Sequence, residues 1–171
     1  MKQLTLFRIL TYTLLPIVAL FGFLDMLVIL GALANPAMLL FAFLLTSLII
    51  YVFSSLKFLT KGIDLNRPCK PSLRDWIKVN AYVSAFMGTM FFMNSLSIFF
   101  MSTLSLRQFI AQVMESQPTM PPVLTIDLFT TIMRGMSYFM FLVSVVLLLH
   151  IAINFRLLKK YVHLFGEYPP E

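Results

Sequence analysis

Four long stretches of this chain are nearly unbroken in apolar side chains, and short polar stretches separate them. A helix rises about 1.5 Å per residue, so about 20 apolar residues cross a hydrocarbon layer about 30 Å thick. The pattern predicts helical spans over residues 6–33, 36–59, 73–101 and 127–154. The first turn, Gly31 to Asn35, is short and makes the first two spans antiparallel neighbours. Asn35 is an N-cap candidate and Pro36 a first helical residue.

The third span has its own start signal: Pro71, then Ser72, then Asp75 in capping-box spacing, then Trp76 where interfacial tryptophans collect. Pro121, Pro122 and Thr125 stand before the fourth span. Residues 60–72 form a basic loop, 102–126 a second outer segment and 155–171 a basic tail. Within the outer segment Leu106, Phe109, Ile110 and Val113 repeat at i, i+3, i+4, i+7. Two readings stay open: a short amphipathic helix lying on the bilayer surface, or a prolongation of the third span. Ser116 to Thr125 then reads as a proline-rich linker. Ala32-Leu33-Ala34 resembles a signal-peptidase site, but the apolar run before it is too long for a signal peptide and Asp25 interrupts it.

Composition sharpens this picture. The chain is 60% hydrophobic and 12% charged, with a mean hydropathy of +0.91. Soluble domains are about 45–50% apolar and about 25% charged. The net charge of +6 would point to nucleic acid in a soluble protein. Here the cations flank apolar runs, so membrane topology and anionic lipid are the better readings. Lys2 and Arg8 mark the N-terminus; Lys57, Lys61, Arg67, Lys70, Arg74 and Lys78 mark the middle loop; Arg156, Lys159 and Lys160 mark the tail. The first turn has no cation and the outer segment only Arg107. Both termini are therefore expected in the cytoplasm, with the cations of the loop and tail against anionic headgroups and Trp76 as an interfacial anchor.

A charge at the bilayer centre costs about 2.5–3.5 kcal/mol on insertion scales. Asp25 and Arg134 therefore need partners. Helical rise puts each about 10–12 Å below the outer boundary, level with Asn94. An Asp25–Arg134 ion pair with Asn94 bonded to it is expected, structural rather than functional. Gly22 would let another helix approach beside it. Thr130, Arg134, Ser137 and Ser144 mark an inward stripe on the fourth span, and Asn80, Ser84 and Asn94 one on the third.

Other chemistry is thin. Cys69 is the single cysteine, which excludes an intrachain disulfide and a cysteine-based zinc site. The cations around it are expected to lower its thiol pKa. Met87, Met90 and Met93 with Met133, Met136 and Met140 raise a copper reading, but methionine also fills irregular apolar cores, and no metal is expected. His150 and His163 are not placed as a haem pair, and no cofactor is expected; His150 with Asn154 reads as an interfacial polar pair. There is no glycine-rich phosphate loop, zinc-protease or serine-hydrolase motif, and no internal repeat.

The expectation is an all-α integral membrane protein: a four-helix transmembrane bundle of the bacterial inner membrane, non-enzymatic, an accessory or scaffold subunit packing against other membrane proteins or itself. The alternatives are a small transporter or channel using Asp25 and Arg134, and a membrane enzyme acting on lipid or quinone.

Overall fold

The computed structural model describes residues 2–116 and 125–166; the expected Pro121-Pro122 linker and the end of the tail lie outside them. Among the described residues every regular element is helical. Helix α1 covers Lys2–Ala32 and α2 Met38–Lys57, which continues as a π-helical turn over Phe58–Asp64. Helix α3 covers Pro71–Phe100, α4 Thr103–Glu115 and α5 Ile126–Lys160, followed by a 3-10 turn over Val162–Phe165. Four of these are long and apolar enough to cross a membrane: Lys2–Ala32, Met38–Asp64, Pro71–Phe100 and Ile126–Lys160.

The boundaries follow local chemistry. Asn35 Oδ1 accepts the Ala37 N–H at 3.1 Å, a turn contact ahead of the helix. Helix α2 begins only at Met38, with Ala37 at the N-cap and no side-chain cap bond, so neither the expected Asn35 cap nor Pro36 as first helical residue holds. The next residues make i→i+3 bonds, Met38 N to Asn35 O and Leu39 N to Pro36 O, before regular α-helix begins. Helix α3 begins at Pro71 itself, which takes the first helical position, where a missing N–H costs nothing. Ser72 therefore sits inside the first turn rather than ahead of it. The second span runs on past Leu59 as the π turn, which shortens the basic loop to residues 65–70.

The chain divides into two compact units, Met1–Gly88 with Val146–Glu171 and Thr89–Val145. In the first, α1 and α2 are antiparallel: Gly31 lies by Met38, Asp25 by Thr46, Gly22 by Ile49 and Arg8 by Asp64. Helices α3 and α5 are antiparallel as well, with Tyr82 on Phe155 and Gly88 against Leu147.

The packing seam of this unit has alternating spacings of three and four. On α1 it is Phe7, Thr11, Leu14, Val18, Phe21 and Asp25; on α2 it is Leu45, Leu48, Val52, Ser55 and, in the π turn, Leu59. On α3 it is Ile77, Asn80, Ser84 and Met87, and on α5 it is Leu147, His150, Asn154 and Leu157. All are buried. Such a repeat is that of left-handed knobs-into-holes packing. Lipid tails are as apolar as leucine, so dispersion and interhelical hydrogen bonds must supply the cohesion between spanning helices. Polar residues fall on the seam accordingly.

In the second unit, the end of α3 packs on the start of α5 through Phe92 on Phe141 and an edge contact of Phe99 with Tyr138. Helix α4 is separate from α3: Ser102 is extended (φ −61°, ψ 153°), and its Oγ accepts the Ser105 N–H. It is not a continuous prolongation of the third span. Leu106 and Ile110 are buried while Phe109 stays exposed. Thr125 Oγ1 caps α5 by accepting the Leu128 N–H.

Candidate functional site

The densest polar cluster in the first unit joins three helices. His150 of α5 is fully buried, and so is Tyr51 of α2. The His150 Nδ1 lies 2.7 Å from the Tyr51 hydroxyl and its Nε2 lies 2.9 Å from Thr11 Oγ1 of α1. The Phe7 ring stacks on the imidazole, centroids 4.7 Å apart. One turn further, Asn154 Nδ2 donates to Ser55 Oγ at 2.7 Å and to the Tyr51 hydroxyl at 3.3 Å. Tyr51 with His150 and Ser55 with Asn154 share a sequence offset of 99. A constant offset is possible only for locally parallel helices, so α2 and α5 run the same way.

For a neutral imidazole, counting donors assigns the protons. Thr11 donates its single hydroxyl proton to the Phe7 carbonyl at 2.7 Å. It can only accept from His150, so Nε2 carries the ring proton. A neutral imidazole then has a bare Nδ1, which accepts from the Tyr51 hydroxyl. Ser55 donates to the Tyr51 carbonyl at 2.8 Å and so accepts from Asn154. Both hydroxyls facing Asn154 have already committed their protons, and this requires its amide to present NH2 to them. The result is a one-directional chain, Asn154 to Tyr51 to His150 to Thr11 to the Phe7 carbonyl. Bonds in such a chain polarise one another. Only Asn154 Oδ1 is left over, buried without a hydrogen-bond partner.

His150 and Asn154, expected as a polar pair near one end of the fourth span, are both buried within the unit and bonded to α1 and α2 rather than to each other. Tyr51, Ser55 and Thr11 carried no signal of their own, each being a common residue in an apolar helix. The signal was relational, two i, i+4 polar pairs on two spans.

Asp25 is buried in the first unit, where its Oδ2 accepts from Thr46 Oγ1 at 2.7 Å and its Oδ1 has no partner. Arg134 belongs to the second unit, where its Nη2 donates to Thr103 Oγ1 at 3.0 Å and its Nε is unpartnered. Asn94 is exposed on α3. The bonds that Asp25 and Arg134 make are internal to their own units. Asp127 is bonded to Arg107. A Cβ on Gly22 would meet Ile49 at 3.8 Å, an ordinary contact, so no close approach demands glycine there. Thr130, Ser137 and Ser144 are buried along α5, and Asn80 and Ser84 along α3.

The cations gather at the ends of α2 and α5 and around the start of α3. Lys57 and Lys61 lie on α2 and its π turn, Arg67 and Lys70 in the loop, Arg74 and Lys78 in the first turns of α3, and Arg156, Lys159 and Lys160 at the end of α5. Trp76 is exposed. Cys69 is buried, and burial pushes its thiol pKa up; the Lys57 charge opposes this but does not win. The expected lowering of that thiol is thereby reversed, because losing hydration outweighs a nearby cation.

The class these observations define is an all-α protein with four helices able to span a membrane. The chain matches no family model, no curated protein and no solved structure. Function is therefore read from its own residues.

Proposed function

We propose that the chain is a non-enzymatic accessory or scaffold subunit of a membrane assembly, seated in a bacterial inner membrane. The observation carrying this reading is that the His150 network is buried within the unit, away from solvent. Its donors and acceptors join α1, α2 and α5, and a histidine and tyrosine of catalytic type face no solvent. A polar core of this kind fixes which helices meet. An enzyme would instead aim such groups into an accessible pocket.

The register of the helices supports a topology with α1 and α3 running one way and α2 and α5 the other. With cations concentrated at the ends of α2 and α5 and the start of α3, both termini lie in the cytoplasm. Helix α4, apolar on one side, then rests at the outer surface. The outward faces carry Phe23, Met26, Leu30, Tyr82 and Phe86, suited to lipid or to partner helices. At Gly135 of α5 an added Cβ would meet nothing within 4 Å among the described residues, which leaves room for a neighbouring helix.

The test is affinity purification of the full chain in mild detergent. A stoichiometric membrane protein should accompany it, and Gly135→Leu should release that partner without lowering the melting temperature. A clean monomer or homo-oligomer would contradict the reading.

A second reading, a small proton-linked transporter, draws on the unpartnered Asp25 Oδ1. Against it, the cavity beside Arg134 holds about 10 Å³, at most a single water. Proton flux in proteoliposomes that vanished in Asp25→Asn would favour this reading.

A further inference from the structure

A cavity of about 580 Å³ opens at the inner end of the first unit, between the end of α2, the loop and the start of α3. Its size falls in the range of small-ligand sites, about 300–1,000 Å³. Among the described residues three cations line it, Lys57, Lys61 and Lys70, and no carboxylate does. Asp64, the acid of the π turn, is turned to Arg8 at 2.7 Å instead. Lys57 and Lys61 stand four residues apart, and like charges at that spacing destabilise a helix. An anion between them would relieve this. The first turn of α3 borders the cavity at Ser72, and helix N-termini favour negative charge. Phe53, Leu73 and Trp76 give the rest of the wall an apolar side, with Ser54, Pro68 and Cys69 completing it.

The walls are held in place. The Cys69 N–H donates to the Leu164 carbonyl at 2.7 Å and the Arg67 N–H to the Lys61 carbonyl at 3.3 Å. Asn66 takes a left-handed conformation (φ 47°), and Pro68 stiffens the strap. A Cβ at Gly62 would come within 3.0 Å of Cys69 Sγ, so the loop lies directly on the π turn. A site fixed before its ligand arrives loses less entropy on binding.

We propose that this cavity is a stoichiometric site for the phosphate group of an anionic amphiphile, with Lys57, Lys61 and Lys70 around the phosphate and Phe53, Leu73 and Trp76 along the acyl chain. It stands apart from the scaffold reading and survives that reading's failure. Diffuse attraction of basic residues to a charged surface would not need a cavity; this site does.

Trp76 is the only tryptophan and lines the site, so it reports occupancy. The full chain is reconstituted in phosphatidylcholine vesicles containing brominated phosphatidylglycerol or, separately, brominated phosphatidylcholine. Brominated phosphatidylglycerol should quench Trp76 more strongly at equal mole fraction. Each lysine replaced by glutamine should weaken that preference by about fivefold, the factor for about 1 kcal/mol per cation. Lys70→Gln, a single change in the loop, serves alongside the triple variant, and Lys→Arg at all three positions should retain the preference. Glycerol phosphate distinguishes the sources: displacement of the brominated lipid assigns the site to free phosphate esters, and no displacement assigns it to lipid. Equal quenching by the two lipids would overturn the proposal. So would a Lys57→Gln/Lys61→Gln/Lys70→Gln variant that kept its preference, or equal loss on neutralising Arg156, Lys159 and Lys160.

Discussion

Replacing His150 by phenylalanine keeps the ring stacked on Phe7 and removes both ring nitrogens. The Tyr51 hydroxyl then has a proton and no acceptor, and Thr11 loses its donor. A buried polar group left unpaired costs about 1–3 kcal/mol. Interhelical hydrogen bonds in membrane proteins average about 0.6 kcal/mol, with a maximum near 1.7. The loss expected for His150→Phe is therefore about 1–3 kcal/mol. Tyr51→Phe should cost a similar amount, because His150 Nδ1 loses its donor and Asn154 one acceptor. The double variant is the informative one. Removing both partners leaves no orphan between them, so its cost should fall short of the sum by about 1 kcal/mol, within the range seen for contacting residues. The assay is equilibrium unfolding in mixed micelles, followed by helical circular dichroism. Additivity within about 0.3–0.5 kcal/mol would mean the two residues are energetically independent and would refute the network.

Four further outcomes are expected. Thr11→Val should destabilise by about 1–2 kcal/mol and Thr11→Ser by much less, since only serine keeps an oxygen for the Nε2 proton; thermal unfolding of the pair checks this. Cys69 should alkylate more slowly than a free thiol at neutral pH: its raised pKa leaves less thiolate, the rate should go on climbing with pH beyond the usual thiol range instead of levelling off there, and Lys57→Gln should slow it further. Gly62→Ala should cost about 1–3 kcal/mol of overpacking against Cys69 Sγ and Phe58, less about 1 kcal/mol gained in helix propensity, and Cys69→Ala should partly rescue it. Gly135→Ala, with open space around it, should raise stability by about 0.5–1 kcal/mol in the same unfolding assay.

The spans were legible because their physical requirement is crude: enough apolar length to replace water by lipid. Caps were legible where one side chain decides the matter, as at Thr125, while Ser102 drew no notice and the expected Asn35 cap fell two residues ahead of the actual N-cap, Ala37. The seam was hidden for a physical reason. In a soluble helix the buried stripe is apolar against a polar background, whereas here lipid-facing and helix-facing positions are equally apolar. Only rare polar residues betray the inner face, and Thr11, Asp25, Ser55, Asn80, His150 and Asn154 all lie on it. Depth counting grouped Asp25, Arg134 and Asn94 by level alone, but level carries no information about azimuth. His150 and Asn154 stood out along their helix, but their partners were not legible, because those lie 99 residues away on a parallel helix.

The sealed network is tested most directly by nitrogen-15 NMR of the two histidines in the full chain. His163, exposed in the tail, is the internal reference. His150 should show one neutral tautomer with its proton on Nε2, and that proton should exchange with water far more slowly than those of His163. A proton on Nδ1, or exchange as fast as at His163, would contradict the account.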